Sequence, residues 1–374
     1  MKLDNNQQAF FELVQAGLWE KEARLSQFGN IDYAAILQIA EDQCVVGLVT
    51  AGLEKVKDVN VPKEQLLQFV GSTLQIEQQN KSVNVFVAWV IELLRKKDVY
   101  TLLVKGQGIA QCYTRPLWRA SGDVDLLLSN ENYEKAKHVL IPRATKVECE
   151  FKSLKHLALT MEEGYVVELH GMFHSRLSKR VDRMIDEVQR DVFYSGNVRS
   201  WQNGGTTVFL PSPDNDVIFV FTHILKHFYI EGVGLRQICD WCRLLWKYRS
   251  VINVTLLEER LRKAGLMSEW RGFAAFAVYW LGMPEEAMPF FDSRLRSKGD
   301  RIMEFVLETG NFGHNRKINR SNIWIIGKLQ AAWFKMHDFA RHARLFPLDS
   351  VKFFIHYALN GISVTRDRLN DKNV

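Results

Sequence analysis

The spacing of apolar residues along the chain changes twice, near residue 98 and near residue 212. Before the first change, apolar side chains recur every three to four positions, which predicts amphipathic helices. Between the two changes, short apolar runs alternate with turn residues, which predicts strands. After the second change the helical spacing returns. We therefore expect an α+β fold, in which a mixed β-sheet core is flanked by helices, with an N-terminal helical region at 1–97, an α/β core at 98–211 and a C-terminal helical domain at 212–374.

The first region predicts two clear helices. One begins after Asp4, a residue suited to the N-cap, and repeats apolar residues from Phe10 to Leu18. A longer helix is predicted over residues 66–99. We expect the polar QQN segment at its centre, residues 78–80, to face solvent.

The central region predicts a sheet of short strands. Its apolar, partly β-branched runs are separated by turn residues, including the EEG sequence at 162–164. The last three runs follow one another closely enough to predict a β-meander. The predicted strands are "VYTLLVKG" (99–106), "DVDLLLS" (123–129), "ATKVECEF" (144–151), "KHLALTM" (155–161) and "GYVVELHGMF" (164–173), and the predicted helices are "GIAQCYT" (108–114) and "NENYEKAKHVL" (130–140), the second capped by Ser129 or Asn130.

Two prolines, Pro211 and Pro213, mark the start of the C-terminal helices, and Ser212 or Asp214 can cap the first of them. Further along, the segment at 308–322 is rich in glycine and asparagine between helical patterns. Such a composition predicts a loop or hinge.

Composition indicates a folded, globular chain: 374 residues, of which 47% are hydrophobic and 25% charged. The longest strongly apolar stretch, at 273–283, is far shorter than the roughly 20 residues that span a bilayer. The N-terminus lacks the basic start, apolar centre and cleavage site of a secretory signal. We therefore expect a cytoplasmic protein that does not interact with membranes.

Five cysteines are scattered along the chain, and only Cys239 and Cys242 form a C-x-x-C pair. This pair lies in a helical pattern, without the second ligand pair of a zinc site or the preceding strand of a redox motif. We interpret both as buried free thiols.

The net charge of +6 is concentrated in residues 293–345, where eleven Lys or Arg face four acids. Such a surface could attract phosphates or RNA, or it could be a solvated helix face. The region contains no RNA-recognition motif, so a helix bundle with a basic rim is the simpler interpretation.

Two carboxylates stand one residue apart at the start of a predicted buried strand, Asp123 and Asp125. Alternation along a strand places them on the same face, where they repel each other. A divalent cation compensates such an oxygen-rich pair well. The alternative is a hydrated pair at the end of a solvated loop.

A third acid, Glu168, lies in the last predicted strand, on the same face as Val166 and His170. If this strand neighbours the one with the aspartates, three carboxylates converge, and such a cluster can hold two magnesium ions about 3.5 to 4 Å apart. The alternative is a salt bridge from Glu168 to Lys152 or Lys155 across the hairpin.

The segment "LLVKGQGIAQCYTRPLWRASGDVDLLLSNENYEKAKHVL" resembles a bacterial, largely uncharacterised nucleotidyltransferase family of the DNA polymerase beta-like superfamily. That family has an LKG strand end, a Tyr and Pro, an Arg, and GD(I/V)DLL. The sequences "VVELHGMFH" and "THILKHFYIEGVGLRQICDWCRLL" are similar to its acid-x-His strand and its His-rich helix. The likeness spans about residues 99–245.

The resemblance implies a role for each acid. Asp123 and Asp125 would be catalytic and hold the metal, Mg²⁺ or Mn²⁺, with Glu168 as the third carboxylate. Glu168 or a metal-bound aspartate would take the proton of the acceptor hydroxyl. The metals would neutralise the phosphate oxygens of an NTP and orient an in-line attack.

Four further residues are implied in nucleotide binding. Gly106 and Gly108 allow backbone N–H groups to approach a phosphate, and Lys105 and Arg119 add positive charge. For each of these two basic residues, a surface ion pair is the alternative. The sequence departs from the wider superfamily pattern at Gln107, where Ser or Gly is usual. This position belongs to the segment that binds the triphosphate in the superfamily.

For the other polar residues in this similar segment, a structural role is the simpler interpretation. His223 and His227, one helical turn apart, are expected to be hydrogen-bonded core or cleft histidines rather than metal ligands. Arg236 and Asp240 are expected to pair with each other. The less favoured alternative is that they orient a bound nucleotide. Trp118 is expected to pack, although it could stack on a base.

The leading hypothesis is a metal-dependent nucleotidyltransferase that moves a nucleoside monophosphate from an NTP to an unidentified acceptor, either a small molecule, a protein or, as the least favoured option, RNA. The alternative is a catalytically inactive protein of the same fold that binds a nucleotide or a protein partner.

Overall fold

The computed structural model describes residues 3–150, 155–315 and 324–356. Within them, the helices are α1 (Asn5–Trp19), α2 (Tyr33–Asp42), α3 (Val46–Leu53), α4 (Lys63–Arg95), α5 (Gly106–Ala110), α6 (Asn130–Leu140), α7 (Lys179–Tyr194), α8 (Pro213–Ile230), α9 (Leu235–Tyr248), α10 (Val254–Ala264), α11 (Met267–Leu281), α12 (Arg296–Thr309) and α13 (Trp324–Leu345). The strands are β1 (Leu102–Val104), β2 (Val124–Leu127), β3 (Ala144–Val147), β4 (His156–Met161), β5 (Val166–His170), β6 (Val198–Asn203) and β7 (Thr206–Pro211).

The central sheet has the strand order β1-β2-β5-β4-β3. Strands β3, β4 and β5 form the expected antiparallel meander, and β1 is antiparallel to β2. Strand β2 pairs with β5 in parallel, which makes the sheet mixed. The α+β fold with a mixed sheet and helical flanks is confirmed.

The two faces of the sheet bury different cores. Leu103, Leu126 and Leu169 point into a core shared with α4 and α6. The opposite face, with Leu102 and Leu127, belongs to a core that also contains side chains of α1 and α3 and of the C-terminal helices. Because side chains alternate along a strand, β2 contributes to both cores and has no solvent-facing side.

Three predicted helix starts are observed. Asp4 caps α1 and accepts from the Gln7 backbone N–H, and the Gln7 side chain completes a capping box. Ser129 caps α6 through its hydroxyl. Ser212 is the N-cap residue of α8, and Pro213 occupies the first turn, where its missing N–H costs little.

Residues 174–210, where the sequence pattern predicted no element, contain α7 and the hairpin of β6 and β7. This hairpin packs against β1 through Leu210, which lies in the same core as Leu103. The chain therefore covers the β1 edge of the sheet with its own structure. The three-region division stays a prediction; α4 ends at Arg95 and α8 begins at Pro213.

Cys239 and Cys242 are buried free thiols in α9, as expected. In the part of the chain that the structure describes, no helix has both the length and the apolar character needed to cross a bilayer.

The basic region at 293–345 lies only partly within the described residues, because Arg316, Lys317 and Arg320 fall outside them. Two of its cations are paired with acids: Arg294 with Asp292 at 2.8 Å, and Arg341 with Glu308 at 2.6 Å. Two others lie over aromatic rings, Arg296 over Tyr279 and Lys298 over Phe346. Its binding of RNA stays a prediction.

Helices α1 and α3 cross at glycines. A Cβ atom at Gly17 would lie 2.0 Å from the Leu48 carbonyl oxygen, and one at Gly52 would lie 2.1 Å from the Leu13 carbonyl oxygen. Both neighbours are backbone atoms, so the contact cannot be relieved by a side-chain rotation. The two helix backbones therefore touch directly.

We predict opposite effects for two glycine-to-alanine substitutions. Gly52→Ala should lower the free energy of unfolding by at least about 2 kcal/mol, because α3 would have to move away from α1. Gly71→Ala is the matched control, since Gly71 lies in α4 with no atom within 4 Å of the added Cβ. Alanine there should stabilise the protein by about 0.8–1 kcal/mol through helix propensity. Urea unfolding measures both; equal effects would contradict the direct backbone contact.

Candidate active site

The parallel pairing of β2 with β5 brings two of the predicted acids together. Asp125 and Glu168 are direct register partners, so their side chains leave the same face of the sheet. Two residues further along, on the same face, Leu127 lies opposite His170. The carboxylates are therefore placed at the border of the core that contains Leu127, and Asp125 is only 6% exposed.

Cationic and imidazole groups surround these two carboxylates. The Lys105 ammonium donates to Asp125 Oδ1 at 2.7 Å. His170 Nε2 lies 2.9 Å from the same oxygen and 3.3 Å from Glu168 Oε2. His156 Nε2 is 3.2 Å from Glu168 Oε2. An unbroken series of short contacts thus joins Lys105, Asp125, His170, Glu168 and His156.

The alternative partners proposed for Glu168 were lysines. The Lys155 ammonium instead donates to Asn130 Oδ1 at 3.1 Å, so the interpretation of a Lys155–Glu168 bridge is wrong. Lys152 lies outside the described residues. Two imidazoles contact Glu168 instead, those of His156 and His170, which lie directly opposite each other on β4 and β5.

Asp123 lies just before β2, and part of its surface reaches solvent. Partial burial and the negative charges of Glu168 and Asp125 raise the pKa of Asp123, while Lys105 and Arg236 oppose this shift. Asp123 is therefore close enough to the other two acids to be repelled by them. The structure brings the three predicted acids to one end of the β2–β5 pair.

The pKa of Glu168 shifts in the opposite direction. Burial alone would raise its pKa, but hydrogen bonds with His156 and His170, with the charge of Lys105, hold the pKa well below its ordinary value. Glu168 is therefore ionised at neutral pH and is a weak proton acceptor.

Among the described residues, the group of His, Cys, Asp or Glu with metal-ligand spacing consists of His156, Glu168 and His170, whose ligand atoms all lie within 4.8 Å of one another. It shares only Glu168 with the predicted metal set. Metal binding by Asp123 and Asp125 stays a prediction. The sequence analysis placed His170 on the face of Glu168 but gave neither histidine a role.

The turn from β1 into α5 has an unusual backbone. Lys105 has φ 58° and ψ −147°, and Gly106 has φ 41°. The first of these conformations is common only for glycine, so a lysine there is strained. Its side chain crosses to Asp125 and lies 5.3 Å from the centre of the Phe173 ring.

Gly108 and Gln107 face the interior. A Cβ at Gly108 would lie 2.8 Å from the Leu210 side chain, so packing against the β7 strand accounts for this glycine. Gln107 donates to Asn80 Oδ1 at 2.9 Å, and Asn80 in turn donates to the Leu117 carbonyl at 2.7 Å. Gln107 therefore ties α5 to α4, and its side chain is directed away from the acids.

Asn80 corrects the expectation that residues 78–80 all face solvent. Gln78 and Gln79 are exposed, but Asn80 is fully buried. Its amide also donates to the Arg119 carbonyl at 2.9 Å, so it anchors the connection between α5 and β2.

Arg119 is engaged in a buried ion pair. Its guanidinium donates to both Asp240 oxygens, at 3.0 and 2.6 Å, and the Tyr113 hydroxyl also donates to Asp240. The expected Arg236–Asp240 pair is therefore wrong, because Arg119 is the partner of Asp240. Binding of a nucleotide by Arg119 stays a prediction that this pairing does not favour.

Two cations near the acids have no acidic partner within the described ranges. Arg236 donates through Nη1 to the Ala120 carbonyl at 3.1 Å, while its buried Nε has no hydrogen-bond partner there. Lys226 on α8 is in no ion pair there, and burial together with the charge of Lys105 lowers its pKa. Both residues reach the acids electrostatically, Arg236 at Asp123 and Lys226 at Glu168.

His223 and His227 bond to each other, as expected for cleft histidines. Their Nε2 atoms are 3.1 Å apart, and His227 Nδ1 lies 3.3 Å from a Glu231 oxygen. Burial lowers the pKa of both imidazoles, so they are neutral at pH 7. Trp118 packs, as expected: its indole N–H donates to Glu77 at 2.9 Å and Arg115 lies over its ring.

The arrangement combines an acidic cluster on the sheet with cations on the helices that face it. Three carboxylates can attract a divalent cation, and Lys226 and Arg236 can attract phosphate oxygens. Such a division of charge suits a polyphosphate bound through metal ions.

A family model described as "Uncharacterised nucleotidyltransferase" matches residues 29–282 of the chain. The matched segment runs from the connection between α1 and α2 to the end of α11 and includes all the residues of the acidic cluster. Searches among curated proteins and among solved structures found no match.

We expect Asp123→Asn to raise the melting temperature at pH 7, because it removes a carboxylate that Glu168 and Asp125 repel. The pKa of Asp123 is raised in the folded protein, so its ionisation penalty is complete above that pKa and absent below the unfolded value of about 3.9. The advantage of the variant over the wild type should therefore disappear as the pH falls toward 4. Thermal unfolding at a series of pH values measures this.

Asp125→Asn is the matched substitution, and it should lower the melting temperature rather than raise it. It weakens the acceptor of both Lys105 and His170, and should cost about 1–3 kcal/mol of unfolding free energy. A shift of the melting temperature in the same direction for both variants would contradict the different environments assigned to the two aspartates.

Proposed function

Because the chain belongs to the uncharacterised nucleotidyltransferase family, we propose that it transfers a nucleoside monophosphate from an NTP to a hydroxyl or phosphate group of an acceptor. The observation that carries this proposal is the pairing of β2 with β5, which aligns Asp125 with Glu168 beside Asp123. We extend the proposal to membership of the DNA polymerase beta-like superfamily, which has an Asp-x-Asp strand beside a strand with a third acid.

The acids fit a divalent cation, Mg²⁺ or Mn²⁺, because the negative charge at Asp123 is not fully compensated by the protein. Burial and the repulsion from Glu168 and Asp125 together raise the pKa of Asp123, which is the sign of this excess. Asp123, Asp125 and Glu168 would hold the ion. When bound, it would neutralise phosphate oxygens and the charge that develops during transfer.

The residues on the facing helices would bind the nucleotide. Arg236 and Lys226 supply charge that no acid within 4 Å neutralises in the described part of the chain, and Arg236 can offer a fork of N–H groups to a phosphate. Lys105 forms a salt bridge with Asp125 and would reduce the negative charge of the cluster. Gly106, at the start of α5, leaves open space near the Asp123 carbonyl.

In the transfer step, an acceptor hydroxyl oxygen forms a bond to the α-phosphorus while the bond from that phosphorus to pyrophosphate breaks. The hydroxyl proton passes to a carboxylate of the cluster, and pyrophosphate leaves. The low pKa of Glu168 suits it to holding a cation rather than to taking this proton.

One observation favours a second candidate, a protein of this family that binds a nucleotide without turnover. The Lys105 ammonium already occupies an Asp125 oxygen at 2.7 Å, a position where a metal ion would otherwise bind. The two candidates differ in whether tight NTP binding requires a metal.

We expect pyrophosphate release from at least one NTP in the presence of Mg²⁺ or Mn²⁺ when diverse acceptors are supplied. Glu168→Gln should reduce the rate by about 100-fold or more, because a group that stabilises transition-state charge is lost. Glu163→Gln, in the exposed turn of the same hairpin, is the matched control and should leave the rate unchanged.

Calorimetry separates catalysis from simple binding. For the enzyme, tight NTP binding should require the metal and be lost in Asp125→Ala. Metal-independent binding that survives this substitution, together with no pyrophosphate release, would favour the second candidate.

We predict that Arg236 and Arg119 have separable roles. Arg236→Gln should weaken NTP binding about 10- to 100-fold, the value of a charge-assisted hydrogen bond, with little change in melting temperature. Arg119→Gln should instead lower the unfolding free energy by about 3–5 kcal/mol, because it leaves Asp240 buried without its partner. If Arg236→Gln leaves NTP affinity unchanged, Arg236 is not a phosphate-binding residue.

A further inference from the structure

We propose that His156, Glu168 and His170 form a binding site for a first-row transition-metal ion of the Zn²⁺ class, distinct in ligand chemistry from the magnesium set proposed above. The inference concerns metal binding itself and does not require that the protein be a transferase.

Two of the three distances between the ligand atoms are close to those expected around one ion, and all three atoms lie within 4.8 Å of one another. His156 Nε2 and Glu168 Oε2 are 3.2 Å apart, and His170 Nε2 and Glu168 Oε2 are 3.3 Å apart. Zinc–nitrogen and zinc–oxygen bonds are about 2.0–2.2 Å long, so neighbouring ligands of a tetrahedral ion lie roughly 3.3–3.6 Å apart. An ion could therefore enter with only a small movement of the three side chains.

The ligand set is built on regular secondary structure. His156 and His170 are register partners on the antiparallel strands β4 and β5, and Glu168 precedes His170 by two residues on the same face. The imidazole rings are 4.8 Å apart at an angle of 35°. Strands hold side chains in place better than loops do, so the site is preorganised before any ion arrives.

The chemistry of the donors selects the class of metal. Two imidazoles with one carboxylate suit Zn²⁺, Co²⁺ or Fe²⁺, whereas Mg²⁺ prefers an all-oxygen set. Three protein ligands leave at least one coordination position for water or a bound molecule, as in catalytic rather than structural zinc sites.

The site is accessible and supported by its neighbours. The His156 and Glu168 side chains are 24% and 25% exposed, which leaves a path for an ion. His170 is more deeply buried and packs edge-on against the Phe173 ring at 5.1 Å. Asp125 Oδ1, 2.9 Å from His170 Nε2, adds negative charge at the inner side.

Glu168 belongs to both proposed ligand sets, and a carboxylate can bridge two ions through its two oxygens. The alternative is that the histidines only hydrogen-bond the carboxylates and orient them. In that case each imidazole would donate an N–H from Nε2 to a carboxylate, and a metal ion would have to displace that proton in order to bind. Metal titration decides between these two states of the same contacts.

The experiment uses the full-length chain without a histidine tag, stripped of metal and titrated with Co²⁺ and Zn²⁺ in the presence of excess Mg²⁺. We expect about one tightly bound ion per chain after dialysis, and visible cobalt absorption typical of nitrogen and oxygen ligands. His156→Ala and His170→Asn should each weaken binding by more than about 100-fold, since even residues behind the ligands are worth 10- to 100-fold.

His138→Ala, on the exposed side of α6, is the matched control and should bind metal like the wild type. His223→Ala tests the other histidine pair, and loss of the ion in that variant alone would overturn the assignment. Equal affinity in the wild type and His156→Ala would also overturn it. Should His170→Asn fail to fold, His156→Ala decides alone, because the His156 side chain is less deeply buried than that of His170.

The result of this metal titration is independent of the test for nucleotidyltransferase activity. Transferase activity with Mg²⁺ in a protein that does not retain Co²⁺ or Zn²⁺ would remove this inference and leave the function in place. Retained Co²⁺ in a protein without any nucleotidyl transfer would do the reverse.

Discussion

The structure of the site depends on the register of a single parallel strand pair, β2 with β5. In that register Asp125 faces Glu168, and Leu127 faces His170. A shift by one residue would turn the carboxylates toward the other core and bring leucines to the cleft. The register is held by burial on both faces of the sheet, because Leu126 and Leu169 fill one core while Leu127 belongs to the other. The apolar residues that build the sheet therefore also set the positions of the acids.

A pair of acids at the border of a core needs compensating charge, and the chain supplies it unequally. Asp125 is bonded by Lys105 and His170, and Glu168 by two imidazoles, whereas burial and the charges of Glu168 and Asp125 raise the pKa of Asp123. The positive groups on the facing helices, Lys226 and Arg236, are in turn left without acids in the described portion of the chain. Within the described residues, these two cations act on the acids at a distance and form no salt bridge with them. This separation of charge is costly for stability and useful for holding a polyphosphate with its cations.

Local patterns in the sequence were sufficient to predict the fold class, the meander and the caps at Asp4 and Ser129, because each depends on residues close together in the chain. The convergence of the acids was also predictable, since strand alternation gives the face and only the neighbouring strand had to be assumed. The partners of charged side chains were not predictable. Arg119 and Asp240 are 121 residues apart, so the helical spacing of Arg236 and Asp240 gave a plausible but wrong pair.

Burial of single polar residues escaped the sequence analysis for a similar reason. Asn80 lies in a polar stretch of α4, and nothing nearby indicates that its amide supports a loop near Leu117 and Arg119. Gln107 is explained by the same contact, because its side chain completes the support from the other side. The departure from the expected Ser or Gly therefore belongs to the packing of the loop.

The backbone at Lys105 shows how closely the fold and the site are connected. Its φ of 58° with ψ −147° costs an L-residue about 1–3 kcal/mol, and glycine would adopt it freely. Lysine is nevertheless the residue at this turn, and its ammonium forms the 2.7 Å bond to Asp125. The strained turn is thus offset by the charge pair that it makes possible. Because the turn also starts α5 and the loop anchored by Gln107, the Lys105–Asp125 pair connects the acidic cluster to the segment that leads from β1 to β2.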